Sequence, residues 1–216
     1  MATGPYNLPQ GIDIDGQRHQ AVPRKVGAYD MEGINTAAVI PSQLVYFQNS
    51  TQFGQVLAVL TQKIYGRDTN ITSRNGGMAK GERLYAYGLT AKIDAGNQVI
   101  NSAAGAVIFD QWRRLWGIAD VAINLGADEF IRCQGRDVPV HAPRTPFVDS
   151  AAVFILTLDI SGEGMFDLTI AGDPYVLDQQ EDFRINLNFT PQTLTLALET
   201  HITMRLEGIR LKSLRQ

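Results

Sequence analysis

Between Phe183 and Phe189 the chain reads FRINLNF, with Phe183, Ile185, Leu187 and Phe189 separated by Arg184, Asn186 and Asn188. A period of two places the apolar set on one face of a strand and the polar set on the other. A helix, at 3.6 residues per turn, would scatter the same side chains round its cylinder. After Pro191 the alternation resumes through Leu194, Leu196 and Leu198, then Ile202, Met204 and Leu206, with Thr195, Glu199, Thr203 and Arg205 opposite. At Glu207-Gly208 the phase flips, and Ile209 and Leu211 become the apolar set. A glycine inside a strand pattern, at a change of phase, marks a bulge or a tight bend. A sheet with one buried face needs a second layer to cover it.

The remainder of the chain supplies that layer. Ser42–Gln48 reads as a strand, as does Glu82–Ile93, with Tyr85, Tyr87, Leu89, Ala91 and Ile93 on one face. Ala119–Leu125 and Asp128–Cys133 flank Gly126 and predict a hairpin. Ala151–Ile160 is nearly continuously apolar, which suits a strand in mid-sheet with both faces covered. Ser161–Gly164 turns the chain, and Met165–Ile170 returns. Val138–Phe147 carries Pro139, Pro143 and Pro146 and reads as a long crossing loop.

Two stretches have helical spacing. One is Gln52–Tyr65, through Phe53, Val56, Leu57, Leu60 and Ile64; its β-branched neighbours leave a strand pair as the alternative. The other is Ser102–Trp116, through Ile108, Trp112, Leu115 and Trp116. Residues 1–35 contain Pro5, Pro9 and Pro23 with little periodicity and read as an extended N-terminal arm, leaving 36–216 as the folded domain. About eight antiparallel strands with two short inserted helices predict an all-β, two-sheet sandwich, and the single jelly roll is its eight-strand form with long crossing connections.

Composition narrows the function. Charged residues are 19% of the chain, net charge is −3, and hydrophobic residues are 44%. Only the last segment is basic, with Arg205, Arg210, Lys212 and Arg215, which reads as a solvated strand face. Direct nucleic-acid binding by the main domain needs a wider basic field than this. Trp112 and Trp116 flank Arg113 and Arg114, and a helix packed over a sheet accounts for them better than a stacking site does. The single cysteine, Cys133, excludes an intrachain disulfide and reads as a small buried apolar residue. MATGPYNLPQ lacks the basic and apolar regions of a signal peptide, and no run approaches the ~20 apolar residues of a membrane span.

Chemistry finds no nucleus. His19, His141 and His201 are dispersed, and none has a second ligand at i+2, i+3 or i+4, so a zinc site has no local start. Asn75-Gly76-Gly77 and Gly81 form a Gly-rich loop, but a strand follows it where a phosphate cradle needs a helix, and GGMAKGE lacks the Gly-Lys-Ser/Thr ending. No Gly-x-Ser-x-Gly occurs. Asp128-Glu129 and Glu181-Asp182 read as strand-end charges. No residue is assigned a catalytic, cofactor-binding or metal-ligating role, and a non-enzymatic protein with no small-molecule substrate is expected. A structural shell protein and a carbohydrate- or receptor-binding sandwich remain; for the latter, Tyr6, Tyr29 and Tyr175 lie in loop-like stretches but show no pattern.

Two segments carry a resemblance. Leu206-Glu207-Gly208-Ile209, then Arg210, with Arg215-Gln216 beyond, is similar to the C-terminal strand of single jelly-roll capsid proteins from tailless icosahedral phages. GRDTNITSRNGGMAKGERLYAYGLTAKI, from Gly66 to Ile93, resembles the same group in its D-T-N tripeptide, Gly-rich loop and L-Y-A-Y-G-L strand. The resemblance implies a virion protein made in a host cytoplasm that assembles as trimeric or hexameric capsomers into an icosahedral shell. Its partners would be copies of itself and other capsid proteins, over an underlying membrane or inner shell, with the N-terminal arm linking neighbours.

Overall fold

A computed structural model describes the chain outside residues 1–10, 15, 25–26, 37–38, 50, 55–61, 72–76, 96–101, 126–127, 142–144, 149–152, 157–163, 180, 191–193 and 215–216. In chain order the elements are β1 (Gly11–Ile14), β2 (Gln17–Arg24), β3 (Ala28–Ile34), β4 (Gln43–Tyr46), β5 (Glu82–Asp94), α1 (Ser102–Gly117), β6 (Ala119–Leu125), β7 (Asp128–Gln134), β8 (Val140–His141), β9 (Thr145–Val148), β10 (Val153–Leu156), β11 (Phe166–Asp167), β12 (Tyr175–Leu177), β13 (Phe183–Phe189) and β14 (Thr200–Ser213).

Two sheets pack face to face as a β-sandwich. The larger runs β1-β2-β14-β5-β11, with β3 on β14 and β12 and β8 on β5; all its pairings are antiparallel except β8 on β5. The smaller runs β4-β13-β6-β7 and is antiparallel throughout. The alternation of β13 is realised: Phe183, Ile185, Leu187 and Phe189 are buried and the three polar residues between them half-buried. Those four join Leu44, Val121 and Ile123 of their own sheet and Leu84, Leu89, Ile93, Ile202, Met204 and Leu206 of the other in one core. α1 closes that core with Ile108, Phe109, Trp112, Leu115 and Trp116, while Arg113 and Arg114 face solvent and pair with Asp110.

The centre of the larger sheet is the pair β5–β14. On the other side of β14, β3 lies against Thr200–Leu206 and β2 against Arg210–Ser213. Gly27 sits between β2 and β3, and a Cβ placed there would lie 1.8 Å from the carbonyl oxygen of Leu206. A Cβ on Gly208 would lie 2.3 Å from the carbonyl oxygen of Tyr85. Main chains approach here more closely than any side chain allows, which is why the strand pattern contains glycine.

The phase change at Glu207-Gly208 has a cause that the C-terminal segment alone does not reveal. Glu207 pairs with Gly88 and Gly208 with Ala86, so Tyr87 is an extra residue carried by β5. Leu84 and Ala86 before the bulge, and Leu89, Ala91 and Ile93 after it, therefore all reach the main core. Tyr85 and Tyr87 do not share that face as expected: Tyr85 turns to a second cluster, with Ile12, Ala21 and Leu211 and with Ile209 packed against it, and Tyr87 is half-buried. β14 keeps its phase, and its later apolar residues serve the sheet's other face.

Other expectations are corrected. The proposed arm is not one from Gly11 onward, because β1, β2 and β3 are strands of the larger sheet, with Ile12, Ala28 and Ile34 fully buried. Irregular spacing hid them, since β3 buries nearly every residue instead of alternate ones. Of the helix expected over Gln52–Tyr65, residues 55–61 lie outside the described residues. Gln52 and Gln62 form an antiparallel bridge, whereas ten residues of helix would hold them about 15 Å apart. Leu194–Leu198 is irregular, although Leu196 is buried. Within the apolar run 151–160, β10 pairs with β9 alone among the described residues. The crossing loop at 138–147 contains β8 and most of β9.

Candidate functional site

β3 and β4 are edge strands on the same side of the sandwich, where the inner space would open to water. The segment closing that side, residues 62–71, returns along β3: Asp30 bridges Thr69, the Asn70 amide donates to the Tyr29 carbonyl at 3.1 Å, and the Tyr29 amide donates to Asn70 Oδ1 at 2.8 Å. Covering an edge in this way removes a template for aggregation.

Along β3 the positions sharing one face are Ala28, Asp30, Glu32 and Ile34. The two apolar ends enter the main core, so the carboxylates between them are also carried inward. Lys63, from the closing segment, answers both. Its Nζ is 2.9 and 2.8 Å from Asp30 Oδ1 and Oδ2 and 2.5 Å from Glu32 Oε1. The three side chains are 0%, 1% and 3% exposed. Asp30 Oδ2 also accepts the Phe47 amide at 2.7 Å, and Glu32 Oε2 accepts the Gly54 amide at 2.7 Å. Phe47 reaches this geometry at φ 66. The Phe53 ring lies 5.7 Å from Nζ, a cation–π contact.

Two carboxylates and one ammonium leave this cluster one negative charge in excess when all are ionised. Burial is the first cause acting on both acids and pushes them up, Glu32 to about 7, while the Lys63 charge pulls the other way. Burial likewise raises the Tyr46 phenol, with the two carboxylates adding to it, and the Tyr46 hydroxyl is enclosed without a hydrogen-bond partner.

A second pin lies beside the cluster. Arg210 donates to the Asn70 carbonyl at 3.2 Å, to Asn70 Oδ1 at 3.3 Å and to the Gly27 carbonyl at 3.4 Å, and lies 3.7 Å from Glu82. The expected solvated basic face is therefore wrong for Arg210, which is buried. Arg205 and Lys212 are exposed, and Arg215 is outside the described residues.

The residues weighed from sequence do not converge. His19 is on β2, His141 on β8 and His201 on β14. His201 is buried, with Nε2 2.8 Å from Glu199 Oε1 and Nδ1 3.7 Å from Asp94 Oδ1. These carboxylates approach opposite ring nitrogens and so cannot share one ion with it. Among the described residues no group of three His, Cys, Asp or Glu could hold a metal. No helix among them is long and apolar enough to cross a membrane. Cys133 is half-buried, and burial pushes its thiol up to about 11.

Asp128 and Glu129 are exposed at the start of β7. Glu181 accepts the Asp178 amide, and Asp182 is exposed. The Trp112 indole donates to Thr200 Oγ1 at 3.0 Å and Trp116 to the Val138 carbonyl at 3.2 Å, and both rings are buried, so neither offers a free stacking face. Asn75-Gly76 and Tyr6 lie outside the described residues. Tyr29 is on β3, its hydroxyl bound to the Gly66 carbonyl, and Tyr175 is on β12 with its ring 4.4 Å from Phe130.

Sequence reasoning missed the Lys63 cluster, because Lys63 lies 33 residues from Asp30 and no motif links them. The available signal was the pair Asp30 and Glu32 in the apolar phase of a strand, where a charge demands a partner. Comparison with known protein families, with curated proteins and with solved structures finds no match to this chain.

Proposed function

We propose that this sandwich is a single jelly roll and that the chain is a structural subunit of an icosahedral phage shell, present in the virion beside copies of itself and other capsid proteins. The observation that carries the reading is the nesting of the strand pairs. Taken in chain order with β2–β3 as the first unit and β11–β12 as the sixth, the units are β2–β3, β4, β5, β6, β7, β11–β12, β13 and β14. The first pairs with the eighth, the second with the seventh, the third with the sixth and the fourth with the fifth. Successive pairs fall alternately in the larger and the smaller sheet. A long antiparallel hairpin rolled on itself has this order, which is the double Greek key of a jelly roll.

Two further observations support the shell reading. Both segments that resemble phage capsid proteins include part of a central strand of the larger sheet, β5 or β14. Large apolar side chains stand exposed on its flanks: Ile64 and Tyr65 at 52% and 62% on the closing segment, with Met165, Ile170 and Val176 near β11 and β12. Apolar groups on two flanks of a lightly charged surface suit contact with neighbouring subunits. Function here is geometry and buried area, in trimeric or hexameric capsomers. Electron cryomicroscopy of particles from the source tests this. Shell density that traces β2 to β14 in each capsomer is expected, and a shell built from other chains overturns the reading.

A further inference from the structure

We propose that the folded chain joins Lys63 to Asp30 through a side-chain amide, with Glu32 as the acid–base catalyst of its formation. The three groups are already in contact, and water is shut out on every side: no side chain in the cluster exceeds 3% exposure. In water an amine and a carboxyl group remain an ion pair, because both charges are well solvated. Buried together, they lose that solvation, so the uncharged acid becomes accessible. Burial raises both carboxyls here, in the sense that makes the acid form available.

The reaction balances without an oxidant or reductant. Glu32, 2.5 Å from Nζ, carries a proton from the ammonium to Asp30, leaving a neutral amine beside a carboxylic acid. The Nζ lone pair attacks Cγ, a C–N bond forms, and the carbonyl electron pair moves onto oxygen. The Phe47 amide, donating to Oδ2 at 2.7 Å, stabilises that oxygen. Glu32 then takes a proton from the nitrogen and delivers it to the hydroxyl on Cγ. The C–O bond breaks, water leaves, the carbonyl re-forms, and Glu32 ends as it began.

The fold supplies the proximity. β3 holds Asp30 and Glu32 two residues apart on one face, and the Asp30–Thr69 bridge holds the closing segment to the same strand. The nearly equal distances from Nζ to the two Asp30 oxygens place the nitrogen on the plane that bisects the carboxyl group. A shift of the Lys63 side chain out of the carboxyl plane brings Nζ over Cγ for attack. Such positioning is worth many orders of magnitude in effective concentration. The product would clamp edge strand β3 to the segment that covers it.

The test is the intact mass of the purified full chain, folded by circular dichroism and then denatured for measurement. A mass one water below the sequence value is expected, with a branched peptide in the protease digest joining the Lys63 and Asp30 segments. Lys63→Arg and Glu32→Gln should both restore the full mass. A full-mass folded wild-type chain overturns the proposal. So does a water loss that the digest places at Asp15-Gly16, where an Asp-Gly pair can cyclise. A Glu32→Gln chain that still loses water overturns the role given to Glu32.

Discussion

Arg210 and Asn70 stand 140 residues apart along the chain and meet through two hydrogen bonds, Nη1 to the carbonyl oxygen at 3.2 Å and Nη2 to Oδ1 at 3.3 Å. The Asn70 Nδ2 in turn donates to the Gly27 carbonyl at 2.8 Å. One buried guanidinium thus ties β14 to the closing segment at the gap between β2 and β3. Replacing Arg210 by Met removes the donor to the Asn70 carbonyl, while Asn70 Oδ1 keeps the Tyr29 amide, the Gly27 carbonyl keeps Asn70 Nδ2, and Glu82 keeps Lys212 at 3.3 Å. We expect a loss of about 1–3 kcal/mol in denaturant unfolding, and Arg210→Lys should recover only part of it, because an ammonium cannot span the same acceptors.

Glu32 makes stability depend on pH. Its folded-state value, about 7, lies above its ordinary 4.5, so the protonated carboxyl is the form that the fold favours. That contribution is complete below about 4.5 and is lost as pH rises through 7. The effect is on the order of 3 kcal/mol. Unfolding measured from pH 4.5 to 8 should show wild-type stability falling relative to Glu32→Gln, which has no proton to lose. Parallel curves would contradict it. Burial is the larger cause, so the direction is the same whether or not Lys63 keeps its charge.

Two glycines should respond oppositely to alanine. Gly27→Ala drives a Cβ to 1.8 Å from the Leu206 carbonyl oxygen, forcing β3 from β14 at a cost of roughly 3 kcal/mol or more. Gly117, at the end of α1, has open space around it. There alanine restricts only the unfolded chain and should be neutral or stabilising by about 0.4–1 kcal/mol. Thermal melts of the two variants beside wild type read the contrast directly.

Cys133 should be slow to react. With its thiol near 11, roughly one part in a thousand is thiolate at pH 8. Labelling of the folded chain by a disulfide reagent should rise about tenfold per pH unit up to that value, and denatured chain should label far faster at pH 8. Equal rates would mean that the half-buried setting on β7 is wrong.

The legible parts of this fold were those with strict period. FRINLNF announces β13, ADVAINL and DEFIRC announce a hairpin, and the Trp112–Trp116 stripe announces α1. β1 to β3 were opaque for a physical reason. β3 is covered on both faces and along its edge by the closing segment, so its residues do not alternate and resemble a loop. The bulge was located at the right level but on the wrong strand, since phase in β14 cannot show that Tyr87 is the extra residue in β5. The Lys63 cluster depends on a tertiary contact that no local pattern encodes, although Asp30 and Glu32 in a core-facing phase were its visible half.

The position of β14 bears on how the chain can be made. This strand follows every other in chain order, yet it lies between β5 on one side and β2–β3 on the other. During synthesis the larger sheet therefore lacks its middle until the last strand emerges, and strands made first must wait for it. Among the described strands, β1–β2, β6–β7 and β9–β10 can close as short local hairpins meanwhile. Pairings this distant fold slowly, in about milliseconds to seconds, and leave unpaired edges exposed in the interval. A chaperone that shields β5 on the nascent chain would raise the yield of folded protein more than one acting after release.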